Sequence, residues 1–78
     1  MMYLTINTPD KKLFEGSVQK VALPGSTGTF QVLKGHAPLV SSLQTGVLSY
    51  EREGHGHTLA IGEGWVKIAH NKITVLLY

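Results

Sequence analysis

The sequence predicts an all-β domain, a flattened antiparallel β-sandwich or barrel of about ten short strands that occupies residues 1–78. Three observations favour this class. No segment of eleven or more residues keeps the apolar spacing of a helix without a Gly or Pro. Short runs instead alternate between apolar and polar residues. Eight to ten such runs are separated by turns that contain Gly or Pro, which is typical of sandwiches and barrels.

The first strands are predicted by alternation. The run "YLTIN" places Leu4 and Ile6 on one face, and a Pro-Asp-Lys turn ends it. Farther along, the inward period slips by one residue between Val18 and Val21. Such a slip predicts a β-bulge, which we expect at 19–20.

The densest group of turn-forming residues is LPGSTGTFQVLKGHAPLV, at 23–40. A Pro-Gly pair followed by Gly28 predicts one turn, and Phe30 and Val32 anchor a short strand. Gly35 permits a positive φ at a second corner. The stretch therefore predicts two corners that flank one strand.

The last third of the chain predicts three strands within "HTLAIGEGWVKIAH" and "KITVLLY". The turn at 62–64 is predicted to join the first two strands as a hairpin, and a tight turn at Asn71 leads into the third. Alternation points these side chains inward: Leu59, Ile61, Val66, Ile68, Ile73, Val75 and Leu77. It points four others outward: Trp65, Ala69, Leu76 and Tyr78.

Composition limits the classes of function. With 42% hydrophobic and 15% charged residues the chain should fold, and the absence of cysteine excludes disulfides and thiolate metal sites. The formal charge of +2 is spread along the chain, without the clustered cations of a nucleic-acid footprint. No apolar run approaches a membrane span, and the start lacks the order of a signal peptide.

Two other kinds of binding module are compatible with the sequence. A small-barrel binder of single-stranded nucleic acid would stack bases on aromatic side chains, for which the candidates are Tyr3, Phe14, Phe30, Tyr50 and Trp65. A carbohydrate- or metal-binding sandwich would use His55 and His57, but two histidines lack a third ligand and flank a predicted hairpin tip. Glu51 and Glu53 are neighbours beside that tip rather than opposed acids in a cleft. We expect no catalytic, cofactor or metal site.

Four segments in order resemble one known family: LFEGSVQKVALPG, GTFQVLKGHAPLV, LQTGVLSY and IGEGWVKIAHNKITVLLY. They resemble the amino-terminal β-sandwich domain of the epsilon subunit of F-type ATP synthases, and together they cover nearly the whole chain. The most specific part is the run 35–39 followed by Gly-Val-Leu at 46–48.

The resemblance implies a ten-stranded sandwich in the central stalk, attached to the gamma subunit and resting on the polar loops of the membrane-embedded c-ring. It would turn with the rotor and couple ion flow to ATP synthesis without catalysing a reaction, in indirect contact with the catalytic alpha/beta assembly. The implied location is peripheral, on the cytoplasmic face of the bacterial inner membrane or its equivalent, without lipid insertion. The helical hairpin that commonly follows is not expected in these 78 residues; a naturally short member and an amino-terminal part of a longer protein both fit.

Site residues follow from the resemblance and from the outward apolar positions. The c-ring-facing candidates are Ser26, Thr27, Thr29, Gln31 and His36. The gamma-facing candidates are His36, Trp65, Leu76 and Tyr78. Many relatives carry an acid where this chain has Thr27 or Thr29, so the c-ring contact is expected to use hydroxyl groups, or Lys34, instead of a carboxylate.

Overall fold

A computed structural model describes residues 1–78 and contains nine strands and no helix. The strands are β1 (Met2–Asn7), β2 (Lys12–Val18), β3 (Lys20–Gly25), β4 (Gly28–Val32), β5 (Leu39–Leu43), β6 (Gly46–Arg52), β7 (His55–Ile61), β8 (Gly64–Ala69) and β9 (Lys72–Leu77). The all-β prediction is confirmed, with one strand fewer than the ten that the resemblance implies. None of the elements is a helix able to cross a bilayer.

The strands form one curled sheet in the order β2-β1-β9-β8-β5-β3-β6-β7, with β4 on the other edge of β3. Its five-strand half runs from β2 to β5, and its four-strand half holds β3, β4, β6 and β7. The halves join where Gly25 pairs with Leu43. Every pair is antiparallel except β1 with β9, which is parallel. β9 lies between β8 and β1, with β8 antiparallel on one edge and β1 parallel on the other.

The core lies between the two halves and is wholly apolar. It contains fifteen buried side chains: Met2, Leu4, Ile6, Val18, Val21, Leu23, Val32, Leu43, Leu48, Ile61, Val66, Ile68, Ile73, Val75 and Leu77. No polar or charged side chain is buried. The inward faces predicted from alternation are confirmed in β1, β8 and β9.

The slip in period near residue 19 has a different cause from the predicted bulge. Val18 and Val21 are both buried, but they belong to strands in different halves of the sheet. The chain bends at Gln19, whose backbone N–H donates to the Glu51 carbonyl at 2.8 Å. The irregular register lies instead between β1 and β2, where the pairing passes over Leu13.

The predicted hairpin across 62–64 is wrong. β7 pairs with β6, whereas β8 pairs with β5 and β9. The segment 62–63 is therefore a crossover between the halves of the sheet. A glycine-rich break looks the same in a sequence whether the next strand pairs with the last or leaves for the opposite half.

The connections collect at two ends of the sandwich. At one end, called the 26–27 end, lie segments 8–11, 26–27, 44–45 and 62–63. At the other, called the 70–71 end, lie segments 33–38, 53–54 and 70–71, together with Gln19. The strand registers require this division, because Gly25, Leu43, Gly64 and Leu77 lie side by side at the first end.

Candidate interaction surfaces

The outer face of the five-strand half carries large exposed apolar side chains. Trp65 of β8 lies directly opposite Leu76 of β9, and its indole N–H donates to the Tyr78 hydroxyl at 2.5 Å. Their exposed fractions are 45% for Trp65, 53% for Leu76 and 76% for Tyr78. Val40 on β5 is also exposed. We call these four residues the apolar patch.

Val40 was missed by the sequence analysis, although a signal for it exists. Leu43 points inward, so the side chain three positions earlier on the same strand points outward. Val40 lies opposite Lys67 and next to the register that holds Trp65. The patch therefore extends across three strands, β5, β8 and β9.

The same outer face becomes basic toward the 70–71 end. Lys67, His70, Lys72 and Thr74 line an open groove of about 310 Å³ together with Ala69. The alternating pattern of β8 puts Lys67 on the face that Trp65 occupies. Apolar and cationic side chains thus share one continuous surface.

The one carboxylate on this face, Glu15, is already engaged. It forms an ion pair with Lys12 and accepts a hydrogen bond from the Tyr3 hydroxyl at 2.7 Å. The Lys12 hydrogen bond, followed by that from Tyr3, lowers the pKa of Glu15, and the hydrogen bond to Glu15 raises the pKa of Tyr3. Glu15 therefore stays charged, held mainly by Lys12.

The outer face of the four-strand half is different in character. Its central row is Ala22, Ser49 and Thr58, which are register partners across β3, β6 and β7. Lys20 lies opposite Glu51, so the two charges on this face offset each other. Val47 is its one large exposed apolar residue, at 58%.

The polar turn at the 26–27 end adjoins the apolar patch. Gly25 pairs with Gly28 across a two-residue turn, where Gly28 has a φ of 134°. The Ser42 hydroxyl donates to the Ser26 hydroxyl at 2.8 Å, and Ser42 is the strand partner of Trp65. Ser42 therefore lies between Ser26 and Trp65 in space, in contact with both.

Of the two further candidates from the sequence, Thr29 directly follows this turn and Gln31 lies two residues farther along β4. Thr29 and Gln31 are exposed on β4, and they alternate with Phe30 and Val32, which face the core. They consequently belong to the outer face of the four-strand half.

His36 lies at the opposite end of the molecule, half-buried in the 33–38 loop. The neighbouring Gly35, with a φ of 85°, donates its N–H to the Asn71 side-chain oxygen at 2.8 Å. Asn71 and His70 form the tight β8–β9 turn with φ values of 61° and 51°. The structure thus places His36 near the basic groove and separates it from Ser26.

The residues of the two other binding hypotheses do not form a shared site. His57 stacks on Tyr50 with ring centroids 5.1 Å apart, and Tyr50 packs on Phe14 at 4.5 Å. Phe14 and Tyr50, with Phe30, contact the core, whereas Tyr3 and Trp65 lie on the outer face of the five-strand half. No three His, Asp or Glu side chains gather as metal ligands would.

Comparisons with known proteins give one consistent family. The profile of "ATP synthase, Delta/Epsilon chain, beta-sandwich domain" matches residues 1–77. ATP synthase epsilon chains are 43% identical over 77 residues in Campylobacter lari, 50% over 72 in Campylobacter jejuni strain 81-176, and 44% over 78 in Sulfurovum sp. NBC37-1. These alignments cover 97%, 91% and 99% of this chain but only 59%, 56% and 61% of the respective relatives.

Solved structures show the same fold at lower identity. The first is the Euglena gracilis mitochondrial ATP synthase, OSCP/F1/c-ring in rotational state 1, with a TM-score of 0.91 and 23% identity over 97% of this chain and 49% of that one. The second is the Tetrahymena thermophila mitochondrial ATP synthase central stalk/c-ring, with a TM-score of 0.78 and 18% identity over 97% of this chain and 62% of that one.

Proposed function

Because this chain belongs to the β-sandwich domain family of ATP synthase delta and epsilon chains, we propose that it is a non-catalytic part of the central stalk of an F-type ATP synthase. In this role it docks on the gamma subunit, contacts the polar loops of the c-ring, and couples ion flow to ATP synthesis. Its location is then peripheral, at the face of the energy-transducing membrane that bears the catalytic assembly.

The observation that carries the gamma contact is the apolar patch. Monomeric proteins rarely leave contiguous apolar surface exposed without a use. The patch lies on a continuous sheet face of a molecule that measures 27 × 23 × 18 Å. A face of that size can supply the roughly 500 Å² per partner that a specific interface needs.

The 26–27 end suits the c-ring contact. Ser26 and Thr27 present exposed polar groups at a turn, and they adjoin the patch that would hold gamma. Lys34 lies at the other end, so the hydroxyl groups of the turn are the ones available to the ring. His36, also at the 70–71 end, is assigned to the gamma side alone.

A mechanical role agrees with how the backbone is held. Of 48 backbone hydrogen bonds, 41 lie within the strands. Hydrogen-bonded strands around a wholly apolar core leave few elements that can yield separately. Such a body transmits torque instead of absorbing it.

Single-cysteine capture tests the proposed placement, because the chain contains no cysteine. Ser26→Cys, Trp65→Cys and Val47→Cys are each reconstituted with the gamma subunit and c-ring of the same organism and treated with a short cysteine-reactive crosslinker. We expect Ser26→Cys to capture the c subunit, Trp65→Cys to capture gamma, and Val47→Cys to capture neither. Equal capture by Val47→Cys, or none by the first two, would contradict the proposal.

A further inference from the structure

We infer that the partner docked on the five-strand face presents carboxylates beside its apolar contact, and that Lys67 and Lys72 recognise them. We call these two residues the lysine cluster. The inference rests on the proposed function and adds the chemistry of the gamma surface that this chain would meet.

The charge distribution supports an acidic partner. The chain has a formal net charge of +2. The lysine cluster accounts for all of it, since Lys12 is balanced by Glu15 and the four remaining cations are matched by four carboxylates elsewhere. One face therefore carries the whole excess of positive charge, whereas a low-charge surface evolved only for solubility has no need of that arrangement.

Glu15 does not neutralise the lysines of β8 and β9. Its carboxylate is satisfied by Lys12 and by the Tyr3 hydroxyl, and Lys72 acts on it only as a more distant charge. Lys67 has no ion-pair partner within the chain. Both β8–β9 lysines thus keep their ammonium groups available to a ligand.

The register fixes where the carboxylates must lie. Lys67 is two residues from Trp65 on an extended strand, which corresponds to about 7 Å. Lys72 lies farther along the same face, beyond the groove that it lines with Lys67. A complementary partner therefore carries an apolar contact for Trp65 and Leu76, with acidic groups displaced toward the 70–71 end.

A protein partner fits this surface better than a lipid headgroup layer. Peripheral attachment to anionic lipids typically uses clusters of four to eight Lys or Arg residues, at roughly 1 kcal/mol each. Here the two lysines of the cluster share the face with a large apolar patch. Charges at the rim of an apolar contact mainly set the association rate and the orientation of docking.

Association kinetics test the inference. Lys67→Gln/Lys72→Gln is compared with Lys11→Gln/Lys20→Gln, which removes the same charge outside β8 and β9. Binding of immobilised gamma is followed at low and at high NaCl. We expect the first variant to associate roughly tenfold more slowly at low salt, with the difference vanishing at high salt, and the control to match the parent chain.

The outcomes separate this inference from the proposed function. If the parent chain binds gamma and both double variants associate equally fast, or are slowed equally, the inference is overturned and the proposed function stands. If the parent chain does not bind gamma, the proposed function fails. Lysine-dependent binding to vesicles containing anionic phosphatidylserine, with gamma binding unchanged, would assign the cluster to lipid and also overturn the inference.

Discussion

The two outer faces of this sandwich are both formed by hydrogen-bonded strands over one core, but they carry different side chains. On the four-strand half, the central row is Ala22, Ser49 and Thr58, and its charges offset each other. On the five-strand half, Trp65 and Leu76 project beside unbalanced lysines. Both faces cover the same core, so core packing does not require the difference. The contrast supports the proposal that the five-strand face contacts a partner.

The largest expected effect is on folding stability, where a glycine of the five-strand half is compared with one of the four-strand half. In Gly64→Ala, the new Cβ would lie 2.2 Å from the Leu76 carbonyl oxygen, so β9 must move away from β8. We expect a loss of about 3 kcal/mol in the free energy of unfolding. Gly56 of β7 has open space around it, so Gly56→Ala should change that free energy by less than about 1 kcal/mol. Urea denaturation measures both.

Two equally destabilised glycine variants would show that the close approach of β8 and β9 is not a constraint. In that case β9 would accommodate a side chain at position 64 at no more cost than β7 accommodates one at position 56.

A smaller effect is expected for binding when one exposed apolar residue on each face becomes charged. Leu76→Lys places a charge within the apolar patch and should weaken gamma binding by about 2 kcal/mol, or roughly thirtyfold. Val47→Lys alters a side chain of similar exposure on the other face and should leave the affinity within about threefold. Calorimetric titration of both variants distinguishes the faces. If Val47→Lys weakens binding as much, the contrast between the faces does not define the docking surface.

The smallest effect concerns the carboxylate of the five-strand face. Its hydrogen bonds lower the pKa of Glu15, so the stability they provide is present at neutral pH and is lost as the pH falls through the folded-state pKa. Lys12→Gln should raise the pKa of Glu15, since the largest cause of its depression is removed. Lys11→Gln is the matched control. Carboxyl ¹³C titration by NMR measures the pKa, and an unchanged value in Lys12→Gln would mean that Glu15 is free to offset Lys72.

Much of the fold was predictable because burial on one face of a strand imposes a period of two. That period correctly placed Ile73, Val75 and Leu77 in the core and Trp65 and Leu76 outside it. Pairing was harder to predict. A crossover such as 62–63 and a hairpin turn share the same glycines, and only the three-dimensional partners of β7 and β8 distinguish them.

The surfaces were predicted as separate residues but not as arrangements. The resemblance grouped Ser26 and His36 as c-ring-facing candidates, yet a single strand, β4, lies between their loops and carries the chain from one end to the other. The contribution of Val40 and the lysine cluster to one surface could not be predicted, because it depends on the strand register that places them near Trp65 and Tyr3. Alternation gives a side chain its face, whereas sheet order gives it its neighbours.

The parallel pairing of β1 with β9 has a consequence for synthesis on the ribosome. Leu4 and Ile6 are made early, but their neighbours across the pairing, Ile73 and Val75, are made almost seventy residues later. Until β9 has left the exit tunnel, β1 has only β2 beside it, and two strands alone are marginally stable in water. The five-strand half therefore completes its pairing only after β9 has emerged, and until then β1 keeps one unpaired edge.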